Sequence, residues 1–129
     1  MPPPPNSEWQ LPRWVTRDKH HARGVISEEE AMKRSDGRDG EATYLISRAE
    51  AKILELSAIQ NPFPDLPNPN EIEPRKTNMV RHFWVSADRT IGASRGELTR
   101  FVYVVYSISG EFHGYPVTSD ELRQKGVNI

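Results

Sequence analysis

The chain has 129 residues, 36% of them hydrophobic and 27% charged, with a net charge of −1 and no cysteine. That length supports one domain with a single core. Balanced charge excludes binding to nucleic acid by bulk basicity, and the missing cysteines exclude a disulfide framework, a thiolate nucleophile and a sulfur-ligated metal.

Residues 1–15 form a proline-rich arm. Pro2–Pro5 favour extended polyproline geometry, and Trp9, Leu11, Trp14 and Val15 supply the apolar contacts that tie the arm to the domain or offer it to a partner. The start MPPPPNSEWQ lacks the basic and apolar regions of a secretory signal, and no run reaches the roughly 18 apolar residues of a membrane span. A soluble, cytoplasmic protein without a membrane partner is expected, and opening at Met1 reads as a stand-alone chain.

Three helix starts carry a hydroxyl followed three residues later by glutamate: Ser27…Glu30, Ser47…Glu50 and Thr118…Glu121. They predict helices from about Ser27 to Ser35, Ser47 to Ile59 and Ser119 to Lys125. In the second, Ala49, Ile53, Leu56 and Ile59 share one face, with Leu54 beside them, predicting a stripe that covers a sheet. Five prolines between Asn61 and Thr77 stop both helix and strand, leaving a proline-rich loop at 61–77 that Phe63 and Leu66 anchor. Strand periodicity follows: about Val80–Ser86, a short strand at Thr90–Ala93, Leu98–Ile108 and Glu111–Tyr115, the last ended by Pro116. Leu98–Ile108 is apolar on both faces, as a central strand covered on two sides must be. The predicted fold is a single α+β domain over 16–129, with N-terminal helices packed on a C-terminal antiparallel β-meander of about four strands.

Chemistry-bearing residues gather in the second half. Arg75, Lys76, Arg81, Arg89, Arg95 and Arg100 outnumber Asp88 and Glu97, a local basic patch that suits an anionic ligand and equally suits a solvated sheet edge. His113, flanked by Gly110 and Gly114, has room for a substrate, with Glu111 two positions away on the same strand face. Arg81 and His82 alternate with Phe83, Trp84 and Val85, so one polar group falls on a partly buried face. His20 and His21 adjoin and therefore point to different sides, and either one can face His113 as an acid or base. No zinc-type spacing accompanies them, so no metal or cofactor is expected. Gly92–Gly96 is a small turn in which Arg95 and backbone N–H groups suit a phosphate oxygen, or an ordinary hairpin connection.

The order of helices, antiparallel meander and closing Gly110-Glu111-Phe112-His113-Gly114-Tyr115-Pro116 strand resembles the small RNase toxin domains grouped with barnase, EndoU, the tRNase colicins and RelE. The resemblance spans about residues 17–129 and implies metal-independent cleavage of RNA by side chains on the sheet. It implies His113 as acid or base with His82, His20 or His21 as its counterpart. Arg81, Arg95 and Arg100 would hold phosphate, with a hydrogen bond from Thr99 or Ser107. The competing expectation is a non-catalytic protein-binding module, of the immunity, antitoxin-like or phage accessory kind, whose arm or proline loop docks a cognate protein. An enzyme predicts His113 and two arginines converging on one concave pocket.

Overall fold

The computed structural model describes residues 8–60, 68–72 and 79–129. Pro2–Pro5, Phe63, Leu66, Arg75 and Lys76, singled out above, lie outside the described residues.

Each predicted helix forms where its hydroxyl cap sits. Ser27 Oγ accepts from Glu30 N (3.1 Å) to open α1, Glu28–Ser35, and Ser47 Oγ accepts from Glu50 N (3.1 Å) to open α2, Arg48–Ala58. Thr118 and Glu121 cap each other's backbone N–H reciprocally at the start of α3, Ser119–Gln124. The strands are β1 (Arg13–Trp14), β2 (Thr43–Tyr44), β3 (Val80–Ser86), β4 (Gly92–Ser94), β5 (Glu97–Thr99), β6 (Phe101–Ser107) and β7 (Glu111–Val117). Among the described residues they make two sheets. One has four strands in the order β1-β7-β6-β3, and the other has three in the order β2-β4-β5.

The architecture is mixed α+β, but it departs from N-terminal helices on a simple four-stranded meander. α3 follows the last strand, and the arm supplies β1, which pairs parallel to β7 (Arg13 opposite Glu111, Trp14 opposite Phe112). Leu98–Ile108 is not one strand. At Thr99 the hydroxyl donates to Val117 O (2.7 Å) and accepts from Phe101 N (3.2 Å), which bends the chain at Arg100. The residues before the bend pair with β4 and those after it with β3 and β7. Pro116 lies inside β7 opposite Val102. A proline is tolerated there because β1 reaches only to Phe112, leaving the rest of β7 at the sheet edge.

β6 divides two cores. Val102, Val104 and Tyr106 join Phe83 and Phe112 against α2, while Tyr103 joins Val117, Leu122 and Val127 beside α3. The arm closes the first core. Trp9 is stacked on Tyr106 at 5.3 Å, the Tyr106 hydroxyl donates to the Gln10 carbonyl, and Gln10 N donates to Ile108 O (3.1 Å).

α2 does not present the expected stripe. Ala51, Glu55, Ala58 and Ile59 are buried, whereas Ile53 and Leu56 are 70% and 42% exposed. The small Ala51 and Ala58 side chains let the helix approach the sheet closely, and Glu55 finds partners there. Its carboxylate accepts from the Tyr44 hydroxyl (2.8 Å) and from Trp14 Nε1 (2.9 Å). A buried carboxylate met by two donors is tolerated where an unpaired one would not be.

Candidate functional site

Five separate segments enclose a polar cleft of about 380 Å³: the Lys19–His20 turn, the Ser35–Ala42 connection, the Ser94–Arg95 hairpin tip, Tyr115 of β7 and Glu121 of α3. A 3₁₀ turn over Asp18–His20, closed by His20 N to Arg17 O (3.1 Å), brings His20 onto the face of β7. The imidazole is stacked on Tyr115 at 5.1 Å. Its Nδ1 lies 2.7 Å from the Ala42 carbonyl, an acceptor only, so the proton sits on Nδ1 and Nε2 keeps its lone pair. Burial lowers the pKa of His20, with Lys19 and Arg17 adding to the effect against Ala42 and Glu41. At neutral pH the ring is therefore an uncharged acceptor.

Cations surround it. Lys19 pairs loosely with Glu41 (3.9 Å), and Arg95 with Glu121 (3.4 Å). Arg38, between Gly37 and Gly40, has no ion pair or hydrogen bond among the described residues. Glu121 is fixed by Ser94 Oγ (2.6 Å) and Thr118 N (3.0 Å). Burial pushes its pKa up, but these hydrogen bonds and Arg95 outweigh that and hold it below the ordinary value.

Arg95 and Gly96 are the two central residues of the β4–β5 hairpin, and both have positive φ, 50° and 77°. Such a turn favours Asn-Gly, and a left-handed non-glycine residue costs about 1 kcal/mol. The turn is thus an ordinary hairpin connection, and Gly96 N is already committed to Ser35 Oγ (3.1 Å). Arg95 occupies a position where local conformational preference favours asparagine. Arg95→Asn should leave stability unchanged or raise it by up to about 1 kcal/mol, because the exposed ion pair with Glu121 contributes little. Urea denaturation reads the effect, and a clear loss of stability would mean that Arg95 is there for structure.

The other sequence candidates are dispersed. His113 does not line the cleft, but stands two residues before Tyr115 on the same face, about 7 Å along the strand. Burial lowers its pKa, and Arg17, His20 and Lys19 lower it further against Glu111. Glu111 turns to Arg13 (3.3 Å) and is not the ring's orienting partner. His82 and His113 occupy one transverse row of the sheet with Val105 between them, a separation of about 10 Å across two strand spacings. His82 Nδ1 is hydrogen-bonded to the Tyr103 hydroxyl.

Arg81 is completely buried. It forms a two-pronged pair with Glu71 (Nε–Oε2 and Nη2–Oε1, both 2.8 Å) and lies over Trp9 and Phe83. That guanidinium holds the fold together and does not reach the cleft. Thr99 spends its hydroxyl at the strand bend, and Arg100, over the Phe101 ring, lines a different cleft. Of the residues expected to bind phosphate, Arg95 alone reaches the His20 cleft.

His21 points away from His20 and stacks on Tyr44 at 5.0 Å. Burial, Arg48 and His20 hold its pKa down at about 4. A histidine whose pKa is 6.5 unfolded and lower when folded contributes stability that is present above pH 6.5 and lost as pH falls toward the folded value. Between pH 7 and pH 5 His21 alone accounts for about 2 kcal/mol at full linkage, and about 1 kcal/mol once solvent at its open edge is allowed for. His20 and His113 act in the same direction. Glu55, raised by burial, acts oppositely, its protonation favouring the folded state as pH falls. Urea denaturation at the two pH values should show the loss, and His21→Gln should flatten it. Equal stability at pH 7 and pH 5 would contradict this assignment.

Sequence reasoning missed Arg38, Tyr115, Glu121 and Glu55 as a set. Arg38 carried a signal in its glycine-flanked Asp36-Gly37-Arg38-Asp39-Gly40 turn. Glu121 read only as a helix cap, and nothing local marked Glu55. Among the described residues no three histidine, aspartate or glutamate side chains are grouped to hold a metal ion, and no helix is long and apolar enough to cross a membrane. Compared with known protein families, curated proteins and solved structures, the chain matches none.

Proposed function

We propose that the His20 cleft binds a phosphodiester and that the chain is a metal-independent endoribonuclease-like domain of the toxin or effector kind. One observation carries the reading. A neutral histidine has its Nδ1 proton anchored by a carbonyl, leaving Nε2 as acceptor, in a cleft ringed by Lys19, Arg38 and Arg95. His20 takes the proton of a ribose 2′-hydroxyl as that oxygen bonds to phosphorus. The bond from phosphorus to the 5′-oxygen breaks, and protonated His113, beside the cleft on β7, gives its proton to the departing oxygen through a bridging water. The products are a 2′,3′-cyclic phosphate and a 5′-hydroxyl end, and both imidazoles reset by exchange with water. Lys19, Arg38 and Arg95 hold the charge that builds on the phosphorane oxygens.

The test is incubation of wild type, His20→Ala, His113→Ala and Arg38→Ala with total RNA and tRNA in EDTA. Wild type should cleave, His20→Ala should lose about 100-fold or more, and Arg38→Ala about 10-fold. With His20 and His113 both lowered from 6.5, among Arg17, Lys19, Glu41 and Glu111, the rate should peak on the acid side of 6.5 and fall on either side. Intact RNA with wild type across pH 4.5–8 would end the enzymatic reading.

The second reading, a non-catalytic protein-binding module, is favoured by the outward Ile53 and Leu56 on α2 and by Leu11 on the arm. It predicts intact RNA and a cognate protein whose binding is lost in Ile53→Asp.

A further inference from the structure

We propose that residues 17–25 are a latch, held shut at neutral pH by His20 and His21 and released in acid, so that the His20 cleft is assembled only near neutrality. This does not rest on the endoribonuclease reading, since it concerns how the cleft is held together and not what it does.

The segment has two anchors, and both are titratable. Every residue from 17 to 25 is exposed except half-buried Ala22 and the two histidines, which are 5% and 9% exposed. His20 stacks on Tyr115 and its Nδ1–H donates to the Ala42 carbonyl (2.7 Å). On the other side His21 stacks on Tyr44, meets Trp14 edge-on at 6.2 Å and pairs with Tyr44 in an isolated bridge. The segment's ion pairs among the described residues, Asp18 with Arg48 (2.9 Å) and Lys19 with Glu41 (3.9 Å), are exposed and contribute little. Leucine in the two places would fasten the turn at any pH, whereas imidazole does so only while neutral.

A second proton is poorly received by both rings. The His21 Nδ1 is enclosed without a hydrogen-bond partner among the described residues, so in the neutral ring it carries the lone pair and the proton sits on Nε2. Charging His21 therefore puts an N–H on Nδ1, where no acceptor meets it. Arg48 of α2 and His20 oppose a positive ring there, and Asp18, which favours one, is engaged with Arg48. Trp14 of β1 and Tyr44 of β2 give their N–H and O–H to Glu55. Glu50 and Arg89, which line the cleft beyond His21, are paired with each other (2.6 Å). His20 faces Arg17, Lys19, Arg38 and Arg95, with His113 of β7, against Glu41 and Glu121.

Both imidazoles are thus held below 6.5 while the latch is shut, and return to that value once lifted into water. Opening takes up protons as pH falls below 6.5, and the open population grows until the folded value of about 4 at His21 is passed. Release is local before it is global, because lifting residues 17–25 breaks none of the pairing among β3, β6 and β7. It removes Lys19 and His20 from the cleft together.

The experiment is amide hydrogen exchange of the full chain at pH 7 and pH 5, each without urea and with about 1 M urea, read as protection factors so that the intrinsic pH dependence of exchange cancels. The His20 and His21 amides, which donate to Arg17 and Asp18 inside the segment, should lose about tenfold or more of their protection at pH 5 and be insensitive to urea. Amides of β6 should be better protected and should respond to urea, since only global unfolding exposes them. Equal protection of the two histidine amides at both pH values would overturn the proposal, and so would a urea response as steep as that of β6. Glutamine keeps an N–H donor and takes no charge, so His20→Gln combined with His21→Gln should show the same protection at pH 7 and pH 5. An acid loss that persists in this variant would overturn the assignment to the histidines. The wild-type comparison decides by itself should the variant not fold.

Discussion

Glu71→Ala is expected to destabilise the protein by about 3–5 kcal/mol, the range for breaking a buried ion pair by removing one partner. Glu71 and Arg81 side chains are 4% and 0% exposed, and the carboxylate accepts two guanidinium N–H groups in parallel. Taking the acid away removes both of these hydrogen bonds from a buried guanidinium that lies over Trp9 and Phe83. The same pair fastens residues 68–72 to β3, since Ile72 N donates to His82 O (2.8 Å) and Trp84 N to Asn70 O (3.1 Å). Replacing both partners by apolar groups, Glu71→Leu with Arg81→Met, should recover most of the loss, because neither charge then needs solvation. Urea denaturation of the two variants decides the matter. A single variant within about 0.5 kcal/mol of wild type would show that the pair is not what holds Arg81.

Gly114→Ala should be nearly as severe, at about 3 kcal/mol, the upper part of the usual overpacking range. A Cβ there would stand 2.7 Å from the Tyr103 carbonyl oxygen and 2.8 Å from Glu55 Cγ. The first neighbour is backbone of β6, directly beside the Val104–Gly114 pair, and cannot retreat without breaking the register of the sheet. The second is the buried carboxylate that Tyr44 and Trp14 hold in place. Glycine next to His113 therefore makes room for Glu55 behind the sheet, and the space it leaves is not on the His113 face. Thermal unfolding reads the effect, and an alanine variant that melts like wild type would refute the close packing of α2 on β7.

The one helix face read from the sequence was misread, and the reason is specific. Periodicity places apolar residues inward, and in α2 it nominated Ile53 and Leu56. Glu55 reverses that choice because Tyr44 and Trp14, 11 and 41 residues away, bring donors to it. Arg81 was legible as an anomaly on a core face, but its partner Glu71 lies within a segment that reads only as a proline loop. His20 and His21 pointing apart was legible, because adjacent side chains on extended chain must diverge. That His20 would meet Arg38 and Arg95 was not.

The sequence by itself determined the three helices, the extent of β3 and the double-sided apolarity of β6. Caps act over three residues and strand alternation over two, so both are written in neighbours along the chain. Tertiary structure decided the split of Leu98–Ile108 between two sheets, through the Thr99 hydroxyl reaching Val117. It also decided the recruitment of the arm as β1, the burial of Glu55 and Arg81, and the meeting of His20, Arg38, Arg95, Tyr115 and Glu121 at one cleft. Each of these depends on partners tens of residues apart, whose encounter is fixed by the packing of the whole chain and leaves no local pattern to read.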